Sequence, residues 1–157
     1  PGNQSGEKLM NTFLKPSLVA IEEEQIKEKA KEVVEFLNLG HLSNELAGNL
    51  SGGQKKLLEL GRTMMVEAKL VLLDEVGAGV NRTLLKDLGS AIEKLNKEKG
   101  YTFCMIEHDM DFIGRLCDPV IVMAEGSVLF EGSVENAKKD EKVIESYLGR
   151  GSKLKGN

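Results

Sequence analysis

Leu50-Ser51-Gly52-Gly53-Gln54 is the stretch on which the reading of this 157-residue chain turns. Ser51 is a good helix N-cap, and Leu57, Leu58, Met64 and Met65 beyond it predict a helix that begins just after the serine and turns those residues inward. Two glycines in the first turn allow the backbone to approach an anion closely. The N–H groups and the helix dipole then favour negative charge there. Taken alone, Ser51-Gly52-Gly53-Gln54 also reads as a glycine-rich turn with an ordinary cap.

About twenty residues on, Leu70-Val71-Leu72-Leu73 is a short all-apolar run that predicts a strand buried on both faces. Asp74-Glu75 closes it. In open α/β sheets, ligands bind outside the carboxyl ends of the strands. Two acids placed there can divide the work of nucleotide hydrolysis. Asp74 would hold Mg²⁺, directly or through its waters, and Glu75 would orient or deprotonate the attacking water. A solvated strand end is the other reading.

A helix with Leu84, Leu85, Leu88, Ile92 and Leu95 on one stripe follows and stops near Gly100. Residues 101–106 predict a second buried strand. His108 lies just past it, in a place equivalent to that of Asp74, where an imidazole can reach a terminal phosphate; a structural role is the alternative. His41 is read as a surface residue.

The remaining segments complete an α/β pattern. Residues 1–20 read as loop. From Ile21, Ile26, Ala30, Val33, Val34 and Leu37 recur at helical steps until Gly40. Residues 110–116 predict a short helix. Residues 120–123 and 127–130 predict a hairpin about Glu125-Gly126, and short helices follow near 134–138 and 142–148. Residues 150–157 read as a disordered polar tail. Strands alternating with helices imply a sheet with parallel strands. The expected organisation is a helical subdomain over 1–67, half of an α/β core over 68–149, and the tail over 150–157.

Composition removes several function classes. A formal net charge of −4 argues against a partner bound by phosphate neutralisation, so no nucleic acid is expected. No apolar run approaches the roughly 20 residues that a membrane-spanning helix needs, and no signal segment opens the chain. Cys104 and Cys117 have no metal-ligand spacing and are expected to be reduced core residues of a cytoplasmic protein. Pro1-Gly2-Asn3-Gln4-Ser5-Gly6 reads as the middle of a loop, as in a chain that begins inside a longer protein; a processed terminus is the alternative.

Together these elements resemble the ABC ATPase family. Leu50 to Gln54 looks like its LSGGQ signature, Leu70 to Glu75 like its Walker B strand, and Gly77-Ala78-Gly79-Val80-Asn81 stands where the family has its D-loop. His108 stands where it has its switch histidine. Val76 replaces the usual Pro, which changes the stiffness of the turn, and Asn81 replaces a frequent Asp with a side chain of similar shape and hydrogen-bonding ability. The opening loop, Ile106-Glu107-His108-Asp109-Met110, the stretch Glu131-Gly132-Ser133-Val134-Glu135 and the ending from Val143 to Gly149 are similar to importers of branched-chain amino acids and related amide or urea importers. Lipopolysaccharide-type exporters are the runner-up.

The resemblance implies a partial P-loop NTPase fold: the helical subdomain plus the C-terminal half of the core, with a C-terminal hairpin. It implies ATP and Mg²⁺ as cofactors and a head-to-tail pair of nucleotide-binding domains working with membrane permease subunits at the inner face of the plasma membrane. Ser51, Gly52, Gly53 and Gln54 would meet ATP held by the second domain, with Gly79 and Asn81 as further nucleotide contacts. Asp74, Glu75 and His108 would act on ATP held by their own subunit. The chain contains no Gly-x-x-x-x-Gly-Lys-Ser/Thr. The isolated chain is therefore expected to be inactive and, with apolar faces uncovered, to self-associate. An SMC-type chromosome ATPase shares the signature, but it places a long coiled coil before it. The helix expected here ends by residue 39.

Overall fold

The computed structural model describes residues 4–7, 9–66 and 68–148. Residues 1–3, Gly149 and the 150–157 tail, on which expectations were placed, lie outside the described residues. Two compact units meet at the Cys104–Met105 step.

The first unit opens with a single 3₁₀ turn, Ser5–Glu7, and helix α1, Leu9–Leu14, where a loop was expected. Helix α2, Pro16–Phe36, starts ahead of the expected Ile21. Proline fits the first helical turn, because its missing N–H and fixed φ cost nothing there. Ser5 donates from its N–H and its hydroxyl to the Glu22 carboxylate at 2.8 and 2.7 Å, which pins the opening turn to α2.

The end of α2 also differs from expectation. Asn38, at φ 57°, takes the left-handed position in place of Gly40. Leu39 N–H donates to Val34 C=O at 2.9 Å and Asn38 N–H to Glu35 C=O at 3.0 Å, the bond pair of a Schellman cap. Gly40 instead opens a 3₁₀ turn, Gly40–Leu42.

Helix α3, Gly52–Met65, buries Gly53, Leu57, Leu60 and Gly61. A Cβ on Gly61 would stand 2.7 Å from Leu37 Cδ1 and 3.0 Å from Val33 Cγ1, so glycine sets how closely α3 lies on α2. Leu60 is a core residue that the sequence reading passed over; Leu58, Met64 and Met65 are only half-buried.

Strand β1, Leu70–Asp74, leads through residues 75–81 to helix α4, Arg82–Lys99, and then to strand β2, Thr102–Ile106, which pairs with β1. A crossover helix is the connection a parallel pair requires. On α4, Leu88, Ala91, Ile92 and Leu95 are buried, Leu95 completely. Gly100, left-handed at φ 70°, ends the helix as expected.

Two expectations fail at these strands. β1 alternates, with Val71 and Leu73 buried but Leu70 and Leu72 exposed, 72 at 73%. β2 has no fully buried residue, and Cys104 is exposed. Only one face of this two-stranded sheet is covered by described residues, so an apolar run that reads as buried on both sides has a bare face.

The second unit holds helix α5, Met110–Leu116, strands β3, Val120–Ala124, and β4, Ser127–Gly132, and helices α6, Val134–Ala137, and α7, Glu141–Leu148. β3 and β4 are antiparallel, joined by Glu125 and Gly126 at φ 50° and 76°. Positive φ at both positions is what a type I′ hairpin turn demands. Val122 pairs with Phe130 and Met123 with Val128, leaving Leu129 as an extra residue at a bulge. Val120, Val122, Val134, Ala137 and Val143 form the core, with Met110, Ile113, Cys117 and Phe130 packed against it. Neither cysteine is in a disulfide, and Cys117 is half-buried.

Candidate functional site

Ser51 caps α3. Its hydroxyl oxygen accepts from Gln54 N–H at 3.3 Å, and the Gln54 side-chain oxygen accepts from Ser51 N–H at 2.8 Å. This reciprocal capping box fixes the entry into the helix. Lys55 donates from Nζ to Gly48 C=O at 3.2 Å and ties the preceding loop to the same turn. The box occupies the N–H groups of Ser51 and Gln54. The N–H groups of Gly52 and Gly53, in the first turn, have no intrahelical acceptor. Ser51 keeps its own hydroxyl proton for an incoming acceptor.

The two glycines differ in their surroundings. A Cβ on Gly52 would meet nothing within 4 Å, so this backbone is open to a ligand. A Cβ on Gly53 would lie 2.5 Å from Leu84 Cδ1 and 2.9 Å from Leu84 Cβ. Gly53 is glycine because α4 presses against it.

Asp74, exposed, is the last residue of β1. Glu75 follows at φ 44°, a left-handed backbone that costs an ordinary side chain about 1–2 kcal/mol. Strain of this kind is concentrated at functional sites. Ala78 N–H donates to Glu75 C=O and Val80 N–H to Gly77 C=O, both at 3.1 Å, so the loop is two successive tight turns. Gly79 sits in the second at φ 71° with open space around it. Asn81 ends the loop as N-cap of α4, its Oδ1 accepting from Leu84 N–H at 2.9 Å.

The first unit thus gathers Ser51–Gln54, the 74–81 loop and the start of α4. His108, exposed, belongs to the second unit, in the turn between β2 and α5, where Asp109 caps α5 by accepting from Asp111 and Phe112 N–H. His41 is exposed, as expected.

No group of three or more His, Cys, Asp or Glu able to hold a metal occurs among the described residues. Mg²⁺ is usually held by one or two carboxylates, the remaining positions going to phosphates and water. Asp74 supplies a hard, exposed oxygen donor of that kind. No described helix is long and apolar enough to cross a membrane.

Residues 5–78, from the opening turn through the 74–81 loop's first half, match the ABC transporter family model. Over 92% of the chain, at a TM-score of 0.75 and 40% identity, it superimposes on a nucleotide-free ATP-binding cassette from an ABC transporter and covers 58% of that chain. The fold is that of an ABC-transporter ATP-binding cassette. Two curated cassette relatives are each described as a Probable branched-chain amino acid transport ATP-binding protein. The one from Archaeoglobus fulgidus is 47% identical over 82% of this chain and 49% of its own length. The one from Methanocaldococcus jannaschii is 40% identical over 92% of this chain and 57% of its own length. The chain therefore spans about half the length of the curated relatives it matches.

Proposed function

We propose that this chain supplies the signature turn and the hydrolytic acids of an ATP-driven importer of branched-chain amino acids or similar small solutes. The observation that carries the reading is the turn at Ser51–Gln54, capped so that Gly52 presents an open backbone, in the same unit as Asp74 and Glu75. The similarity to branched-chain amino acid relatives supports the substrate class.

In this reading, Gly52 and Gly53 N–H and the Ser51 hydroxyl bind the terminal phosphate of ATP held by a second nucleotide-binding domain. Asp74 holds Mg²⁺, Glu75 orients the attacking water, His108 contacts the terminal phosphate, and Gly79 and Asn81 contact nucleotide across the same interface. When bound, Mg²⁺ neutralises charge on the phosphates. Residues 1–67 act as the helical subdomain and 68–149 as half of the ATPase core. Permease subunits hold the assembly at the inner membrane face and set the solute.

The 157-residue chain alone hydrolyses no ATP at a measurable rate, since it contains no Gly-x-x-x-x-Gly-Lys-Ser/Thr to cradle the phosphates. Phosphate release is measured for the chain and for Glu75→Gln. Equal, background rates are expected. Steady release that Glu75→Gln abolishes would show that the chain binds and positions ATP without such a loop, and would overturn the inactivity.

A further inference from the structure

Resting on the reading of Ser51–Gln54 as an anion site, we propose that Leu84 is a positioning residue for that site. Its side chain lies where a Cβ of Gly53 would be, 2.5 Å from the position of that atom, so the first turn of α3 rests directly on the first turn of α4. Leu84 is itself held from the other side, because its N–H is bound at 2.9 Å by Asn81 Oδ1. Asn81 is the last residue of the loop that begins at Asp74-Glu75.

A continuous set of contacts follows from this. It runs from the carboxylates along the 75–81 loop to the Asn81 cap, through the Leu84 side chain, and onto Gly53. A shift of the loop moves the first turn of α4. Because Leu84 already stands where a Cβ of Gly53 would be, a shift of α4 toward α3 pushes directly on Gly53. The turn aimed at one nucleotide and the acids aimed at another are therefore joined inside one subunit by apolar contact, with no charged residue in the path between Asn81 and Gly53. The half-buried Leu84 is the joint.

The test is NMR on the ¹⁵N-labelled 157-residue chain, reading amide exchange at Gln54 and Lys55, whose N–H groups are bound by Ser51. Leu84→Ala should raise exchange at these two amides about tenfold relative to the rest of α3, whereas Leu84→Met should stay within about twofold. Leu88→Ala, also on α4 and buried, should loosen the unit evenly without singling out this turn. Gly53→Ala should disturb the turn, and adding Leu84→Gly should restore protection, since glycine removes the Cβ that would stand 2.9 Å from the new methyl group as well as the rest of the side chain. That double variant also keeps the question decidable if Leu84→Ala alone fails to fold.

Unchanged exchange at Gln54 and Lys55 in Leu84→Ala, or the same local effect from Leu88→Ala, overturns the proposal. A second arm titrates inorganic phosphate and follows the Gly52 and Gly53 amide shifts. Leu84→Ala should weaken the response at least about fivefold. If phosphate moves neither amide in the unaltered chain, the anion reading fails, while the exchange comparison still decides the role of Leu84.

Discussion

Ser51 does two things with one hydroxyl. Its oxygen closes the capping box with Gln54, and under the proposed function its proton meets a phosphate. Replacing it with alanine removes the cap and leaves Gln54 N–H without its acceptor. Ser51→Ala should cost about 1 kcal/mol and lower the thermal midpoint by a few degrees in a circular-dichroism melt. Ser51→Thr should retain most of both. A midpoint unchanged in Ser51→Ala would mean that the box contributes nothing to stability. The cap was legible because Ser51 stands just before a helical apolar pattern. The reason for Gly53 was not. Spacing shows a glycine, and only the fold shows that Leu84, thirty-one positions further on, occupies the space of its missing side chain.

Among the elements, α4 follows its sequence at both ends. Asn81 caps it, its apolar stripe is buried over Leu88 to Leu95, and Gly100 closes it. A Cβ at Gly100 would touch nothing within 4 Å, so the cost of adding one is purely that of the left-handed backbone. Gly100→Ala should destabilise by about 1–2 kcal/mol in urea unfolding, and Gly100→Asn by less. A neutral Gly100→Ala would show that the end of α4 refolds into another cap. Helix α2 was less legible. Its true start at Pro16 lies in a stretch where punctuation residues suggested loop, and at its end Asn38 took the role assigned to Gly40. Asparagine tolerates the left-handed region, and the following Leu39 is buried when the chain turns two residues early.

At the scale of the molecule, the bare face of β1 is the feature with consequences. Leu70 and Leu72 are exposed on one face while Val71 and Leu73 are buried on the other. We expect the chain to self-associate through this face, since exposed apolar surface beside a strand edge unpaired among the described residues invites pairing with a second copy. Sedimentation velocity on the chain should show a species larger than a monomer, and Leu72→Lys should shift it toward monomer. A monomer at every concentration in the unaltered chain would remove this expectation.

The sequence by itself determined the order and kind of most elements, the capped turn at Ser51, the acids that end β1, the hairpin at Glu125-Gly126 and the resemblance to a cassette family. All of these rest on local propensity or on short spacings, which the chain carries wherever it folds. Tertiary structure alone decided which face of β1 is covered, that Cys104 stands in the open, and that Gly53 meets Leu84. Burial and close approach depend on which segments come together, and an apolar run such as Leu70 to Leu73 states only that it can be buried, not what covers it.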